Sequence, residues 1–541
     1  MNGLLATLVA LTLSMALVPA LMRIAPRLGM VDRPDPRKVH AQPVPRVGGL
    51  GIATGAAAGI LLVLDLDRTV ASFLFGGAVL VLFGAWDDRR EISHYTKFVG
   101  QFIAALAVVY WGDIWVSLFL FVEQPLPPEL GKPFTVFAIV GMINAINHSD
   151  GLDGLAGGEA LMSLIAIAYL AHIAGGVKLV LLCCSVLGGL LGFLRFNAHP
   201  ARVFMGDAGS QFLGFALGTF AVLLTQQINR TVSMASAGLL LGLPIIDILA
   251  VFAQRVYSGM SWFRATKNHI HHRLLGVGFD HYQAVVIIYS IQALLVISGV
   301  LLCYETDALV VGVYATVCGA VFAFLTVAER RGWRANRSGR QSAVAALLHR
   351  FSSHTLVTKG PMLFVEISVP LFFVSASLFI ARVPEDAMPA IAVAAGLLAF
   401  GLLFWNLPTA PYLVRLAVYG TAAFIAYVLY GSTLPAAGPA WLTFAYLALL
   451  ALAIALVIRF ARDVRFGVTP TDFLIVVLVA AAAVFSRRWF GDANIVQAAV
   501  TMVVLFYGCE LILMVGSRKW SGVLGAAAML ALGIIGTRAL L

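Results

Sequence analysis

Apolar runs about as long as a bilayer is thick repeat along this chain, with only short polar loops between them. That one feature leaves little choice of fold. Hydrocarbon offers the backbone no water, so every buried N–H and C=O must be paired inside the protein, and the runs are expected to be helices of about 20 residues. The chain has 541 residues, of which 61% are hydrophobic and 11% charged. A soluble domain carries about 25% charge. The expectation is an all-α integral membrane protein, a polytopic helical bundle with roughly 18 transmembrane helices. The first run, Leu4 to Met22, is read as a retained span: no small-residue cleavage site follows it, and the next residues are rich in Arg and Pro.

The loops fall into two alternating sets. Arg23–Arg46, Asp87–Lys97, His148–Gly158, Arg195–Ser210 and Tyr257–His281 are long, basic or polar; the loops between them are short. The positive-inside rule places the first set in the cytoplasm and the N-terminus outside. The net charge of +10 therefore fits loop topology and anionic lipid headgroups. No basic domain stands apart from the membrane, which argues against nucleic acid as a partner. The five cysteines lie in apolar runs without metal spacing and read as small hydrophobes. Between Glu329 and Lys359 seven basic residues face one acid. This marks a boundary: a membrane domain over 1–330 with about 11 spans, a basic linker over 331–360, and a C-terminal membrane domain over 361–541 with about 7 spans.

Every stretch that carries chemistry lies in the first loop set. Asn144 to Gly158 places Asn144, Asn147, Asp150 and Asp153 among four glycines at the end of an apolar run. Such groups cost several kcal/mol to desolvate and are functional candidates near a membrane. Asp150 and Asp153, three residues apart, share one face of a helical turn. The proline-rich first loop presents Asp32, Lys38 and His40 on a restrained segment, suited to phosphate or proton transfer. Asp87 and Asp88, followed by Glu91, are adjacent acids that need a cation or a basic neighbour to stay ionised together. They suit a magnesium-bound diphosphate. Gly206-Asp207-Ala208-Gly209-Ser210 sets a carboxylate between glycines at a helix start, where a metal or phosphate can approach; the same pattern is also an ordinary turn and cap. His269, His271 and His272 lie within four residues. Zinc is one reading of them, but the oxygen-rich companions favour magnesium, with the histidines on phosphate. Pro244, Asp247 and Arg255 add polar groups to an apolar run.

Taken in order, Asp32…Lys38-Val39-His40, Asp87-Asp88, Asn144-x-x-Asn147-x-x-Asp150-Gly-Leu-Asp153-Gly, Asn197…Phe204-Met205-Gly206-Asp207-x-Gly209-Ser210 and His269-x-His271-His272 resemble the polyprenyl-phosphate N-acetylhexosamine-1-phosphate transferases. The resemblance covers residues 1–330. The His-x-His-His form looks like the bacterial branch that starts O-antigen, enterobacterial common antigen or teichoic-acid linkage units. It implies transfer of a sugar 1-phosphate from a UDP-N-acetylhexosamine to undecaprenyl phosphate, with release of UMP. It also implies a multi-pass bacterial inner (plasma) membrane enzyme with its active site on the cytoplasmic face. Magnesium is the implied cofactor, with manganese as a substitute; membrane lipids surround the protein, and a homodimer is compatible. By the same resemblance Asp207 is the main magnesium ligand and Asn147 a second. Asp87 and Asp88 are the acidic pair by the acceptor phosphate, with the choice of a base left open. Lys38, Asp150, Asp153 and Asn197 contact the nucleotide, Phe204 stacks on uracil, and Arg255, His269, His271 and His272 hold phosphates or sugar. Asp32 matches an acidic position of unassigned role. Two departures stand out. Glu91 replaces the more usual Asp, and Thr266 and Lys267 stand where Asp and Arg are common, which points to an altered sugar-nucleotide preference.

The C-terminal half lies beyond the family's usual core. Glu366, Arg415 and Glu510 lie in or near its apolar runs, and a contact with a partner of the same glycan pathway is one expectation for it. The rival reading of the whole chain is a transporter or flippase for a lipid-linked or anionic solute. That function calls for ionisable groups near the bilayer midplane in paired repeats, whereas the polar clusters here lie on loops of one side.

Overall fold

The computed structural model describes residues 2–34, 42–122, 124–260, 268–335, 355–380, 383, 387–404, 406, 410–431, 440–460 and 493–540. Among these residues, eleven helices are long and apolar enough to cross a membrane, and four shorter apolar helices accompany them. The protein is an all-α, multi-pass membrane protein. Two compact units, Asn2–Arg337 and Ser338–Leu541, divide the chain.

In the first unit, α1 (Asn2–Leu28), α2 (Gly48–Val63), α3 (Arg68–Arg90), α4 (His94–Leu106), α5 (Pro128–Ser149), α6 (Leu155–Ile173), α7 (Val177–Asn197) and α8 (Gly206–Leu223) follow one another in chain order. After them come α9 (Ser236–Leu241), α10 (Leu243–Tyr257), α11 (Ile270–Val277), α12 (His281–Leu301) and α13 (Asp307–Arg330). Local chemistry sets several starts. Asp67 accepts the Val70 N–H at 2.9 Å and Ser93 accepts that of Thr96 at 3.2 Å. Asp280 and Gln283 bond each other's backbone in a capping box at the head of α12. The single two-residue ladder among the described residues, Val31 with Pro45 and Asp32 with Val44, ties the first loop back to the head of α2.

Lipid tails give helices no hydrophobic reason to associate, so close packing through small residues has to supply it. Gly51, Gly55 and Gly59 repeat every four residues along α2 and face α1. A Cβ on Gly55 would stand 2.5 Å from the Ala10 carbonyl oxygen, and one on Gly59 would stand 2.8 Å from that of Ala6. On the other side, Gly188 of α7 lies against Thr7 and Gly189 against Ile52. α1, α2 and α7 thus form a tight trio.

The helix on which the unit turns is α8. With its continuation to Ile228 it is enclosed by protein along its whole apolar window, whereas α1 and α3 leave most of theirs open. Phe73 of α3 locks it in place, with its ring centroid 5.4 Å from Phe215, 5.0 Å from Phe220 and 6.2 Å from Phe212. At the head of α8 the backbones converge. A Cβ on Gly84 of α3 would lie 2.4 Å from Ala208 Cα, and one on Gly49 of α2 would lie 2.1 Å from the Gly209 nitrogen. This approach brings the C-terminal end of α3, where Asp87 and Asp88 stand, onto the Gly206-Asp207 turn.

The second unit contains helices Thr355–Phe379, Met388–Leu403, Ala410–Gly431, Ala440–Phe460, Ala493–Met514 and Arg518–Leu540. Val365, Phe373, Val414, Leu450, Leu505 and Leu532 contribute to its common core. Residues 461–492 lie outside the described residues.

Gly55→Val tests the close packing of the trio. The added methyls meet the α1 backbone, and overpacking of this kind costs about 1–3 kcal/mol. A lower midpoint in thermal unfolding of the detergent-solubilised protein is expected, with Gly312→Val, at a position with open space around it, close to the parent.

Candidate active site

Three helix ends meet around one ammonium group. Lys97, in the first turn of α4, stands 2.6 Å from an Asp87 carboxylate oxygen at the end of α3 and 2.6 Å from an Asp207 oxygen at the start of α8. Asn147, near the end of α5, donates to the other Asp207 oxygen at 2.6 Å and to Ser210 Oγ at 2.8 Å. The second Asp87 oxygen accepts the Ile92 N–H at 2.8 Å, which fixes the turn between α3 and α4. Asp88 has a different task. Its two oxygens accept the backbone N–H groups of Asp207 at 2.9 Å and Ala208 at 3.2 Å, so it caps α8 from a neighbouring helix. Gly206 makes this possible: its φ is +71° and a Cβ there would lie 2.5 Å from an Asp88 oxygen.

Behind this layer lies a second one made of amides. Gln101 and Asn144 bond reciprocally, with Asn144 donating at 2.8 Å and Gln101 at 3.5 Å. Gln101 also donates to Gln211 at 3.3 Å. Each amide sits one helical turn from a member of the first layer: Gln101 from Lys97, Asn144 from Asn147 and Gln211 from Asp207. Gln101 and Gln211 are 2% and 1% exposed, so the pairing is their alternative to an unsatisfied buried amide. The belt holds α4, α5 and α8 in one register.

The nucleotide-type residues form a neighbouring wall. Burial, aided by the charges of Asp207 and Asp153, pushes the Asp150 carboxyl up to about 7. Burial also works against ionised Asp153, but the His199 ring at 2.7 Å and the Ala201 N–H at 3.0 Å outweigh it and hold that carboxyl below its ordinary value. Asn197 acts as a staple: it accepts the Gly154 N–H at 2.9 Å and donates to the Val203 carbonyl at 2.9 Å. Half-buried Phe204 is held through its backbone, donating to Pro45 and accepting from Gly48. Asp32 pairs with Arg46 at 2.5 Å. Glu91 is exposed and caps α3 in a left-handed conformation at φ 46°; its carboxylate has no hydrogen bond or ion pair among the described residues.

The histidines are layered. His148, His269 and His271 stack with centroids 5.3 Å and 5.8 Å apart, and His272 tilts over His271 at 4.2 Å. Buried Asp247 accepts the Ile270 N–H at 2.8 Å and holds His269 Nδ1 at 2.7 Å, turning the other ring nitrogen of His269 away from itself. Burial, then the neighbouring His272, lowers His271 to about 3, so this ring is neutral across the physiological range. Arg255 is buried near the Phe252 ring, 5.6 Å from its centroid. Lys38 and His40, and the departures at Thr266 and Lys267, lie outside the described residues.

The chemistry of the donors fits a hard divalent cation. Two carboxylates, Asp87 and Asp207, share one ammonium, a third, Asp88, lies against the head of α8, and the donors are oxygen-rich. Rotating the Asn147 amide presents its oxygen beside Asp207 without moving the helix, since the two ends of an amide are assigned from hydrogen bonding. In the second unit, Tyr419 donates to Glu510, and Arg415 stands 3.9 Å from the same carboxylate, so these two apolar-run charges are paired. Glu366 is 9% exposed.

A multi-pass helical bundle with a lysine-bridged carboxylate site where helix ends meet defines a class of polytopic membrane protein with a polar site at its helix ends. The sequence profile of glycosyl transferase family 4 matches residues 70–225. The chain is 35% identical over 301 residues to the probable undecaprenyl-phosphate N-acetylglucosaminyl 1-phosphate transferase of Bacillus subtilis (strain 168), covering 55% of this chain and 84% of that protein. It is 32% identical over 291 residues to the undecaprenyl-phosphate alpha-N-acetylglucosaminyl 1-phosphate transferase of Escherichia coli (strain K12), covering 52% and 79%. It is 33% identical over 298 residues to the decaprenyl-phosphate N-acetylglucosaminephosphotransferase of Mycolicibacterium smegmatis (strain ATCC 700084 / mc(2)155), covering 49% and 73%. The chain belongs to glycosyl transferase family 4.

Gln211→Leu is the test of the amide belt. It leaves the Gln101 amide short of a buried partner, a loss worth about 1–3 kcal/mol. The thermal midpoint is expected to fall, and Gln211→Glu is not expected to restore it, because a buried carboxylate beside Gln101 carries its own desolvation cost.

Proposed function

We propose that the chain transfers an N-acetylhexosamine 1-phosphate from a UDP-sugar to undecaprenyl phosphate, as the first membrane step of a cell-surface polysaccharide. The observation that carries this reading is the layer of Lys97, Asp87, Asp207 and Asn147 at the meeting of four helix ends. The names of the relatives support the reaction class. The proposed location is the bacterial plasma membrane with the site on the cytoplasmic face, which follows from the basic loops.

In the reaction, an oxygen of the acceptor phosphate forms a bond to the β-phosphorus of the UDP-sugar. The bond from that phosphorus to the UMP oxygen breaks, and UMP leaves with the electron pair. The products are undecaprenyl-diphosphate-sugar and UMP. Two anions have to meet, so the main demand on the protein is electrostatic. A phosphate monoester with its second pKa near about 6 is largely dianionic at neutral pH, and the acceptor needs little help from a base. Lys97 is placed to shift from its carboxylates toward incoming phosphate oxygens. Asp88 keeps the head of α8 fixed and so positions Asp207. Asp207 and Asn147 are the residues that would hold magnesium, which when bound supplies charge neutralisation for the diphosphate. Asp150, Asp153 and Phe204 line the side proposed for the nucleotide. His269, His271, His272 and Arg255 are proposed for the phosphates or sugar, with Asp247 setting the His269 ring.

The test uses purified full-length protein with undecaprenyl phosphate, magnesium and a panel of UDP-N-acetylhexosamines, scored by UMP release. At least one sugar is expected to give UMP, with Asp207→Asn lowering the rate by about 10²–10³-fold. Absence of UMP with every sugar, or an unchanged rate in Asp207→Asn, would sink the proposal.

A further inference from the structure

A second group of potential ligands lies beside the wall that the transferase reading gives to the nucleotide. Asp153, in the turn after α5, His199, in the loop after α7, and His281, the first residue of α12, each offer one donor atom within 4.8 Å of the others. Asp153 and His199 are already in contact at 2.7 Å. The His199 and His281 rings stack at 4.1 Å with 23° between their planes. Both ring nitrogens of His281 are shielded from solvent and have no hydrogen-bond partner; the Asp153 backbone comes near the ring without the geometry of a hydrogen bond. A shielded imidazole without a well-formed hydrogen bond is costly unless something binds it, and a bound cation would engage its neighbours as well. His199 is 40% exposed, which leaves an ion a way in.

The donor set differs in kind from that at Asp207. Carboxylate and amide oxygens suit magnesium; two imidazoles and one carboxylate suit a borderline transition ion. Two histidines, one carboxylate and an open fourth position is the pattern of an accessible zinc site. We propose that Asp153, His199 and His281 form a second cation site, selective for an ion such as Zn²⁺ over Mg²⁺. Three separate segments supply its ligands, so an ion there would cross-link the turn after α5, the loop after α7 and the head of α12. The alternative is a hydrogen-bonded clamp, in which His199 simply anchors Asp153 and His281 only packs on His199.

Cobalt distinguishes the two. Full-length protein in detergent, held in excess Mg²⁺, is titrated with Co²⁺ and followed by visible absorption. The proposal expects the intense band of a low-coordinate nitrogen–oxygen site, displaced by Zn²⁺. His281→Gln and His199→Gln are each expected to weaken binding by at least about tenfold, while Asp207→Asn leaves the band in place. Lack of the band in the parent overturns the proposal, as does its survival in both histidine variants. Should one histidine variant lose its monodisperse elution, the other decides. A further consequence rests on the transferase reading: with Asp153 engaged by an ion, Zn²⁺ should raise the KM for the UDP-sugar in the parent and not in His281→Gln. A Zn²⁺-displaceable band with an unchanged KM would overturn that coupling and leave the site standing.

Discussion

The ion bridge from Asp87 through Lys97 to Asp207 is the contact on which the rest of the first unit depends. Three helix ends deliver those groups to one point. Carboxylates at this separation repel, and the surrounding helices keep water from screening them well. Remove the ammonium and two partly buried charges lose the cation between them, a far costlier change than the pair itself is stabilising. The bridge therefore defines where α3, α4 and α8 must meet. The glycines at Gly49, Gly84 and Gly206 are what let the backbones come that close.

A membrane protein has to build such a site without the hydrophobic effect pulling its helices together. Here the solution is layered. Small residues bring α1, α2 and α7 into backbone contact, aromatic rings clasp α8, and the amides of Gln101, Asn144 and Gln211 fix the register one turn behind the charges. Asp88 completes the arrangement by satisfying the first N–H groups of α8. Each layer constrains the next, so the carboxylates reach the site already aimed. That preorganisation is what electrostatic stabilisation of a phosphoryl transfer requires.

The all-helical class was legible in the sequence because bilayer thickness and backbone pairing admit few solutions. Asn147 and Asp207 were legible as members of the candidate site because polar groups near glycines beside an apolar run are costly to keep there unless they bind something. Lys97 was visible only as one more basic loop residue; its role depends on three segments far apart in sequence arriving together, which no local pattern encodes. Asp247 gave a signal, an acid inside an apolar run, but not its partner His269, 22 residues on. Asp87 and Asp88 look equivalent in sequence. Helical geometry separates them, because neighbours on a helix point about 100° apart: one meets Lys97, the other the backbone of α8. Asn197 shows the same limit: the resemblance reads it as a nucleotide contact, and its amide holds two loops together.

The first unit's site depends on Lys97 and Asp207 acting as one unit. A double-mutant cycle on UMP release, with Lys97→Met, Asp207→Asn and the pair, measures this directly. Residues in one charge network couple by about 0.5–3 kcal/mol, and a bridge central to the site should lie near the upper end, so the double variant should be much less impaired than the product of the two single losses. Additive losses, with coupling below about 0.3–0.5 kcal/mol, would contradict the central role of the bridge, because they would mean that the two residues contribute independently.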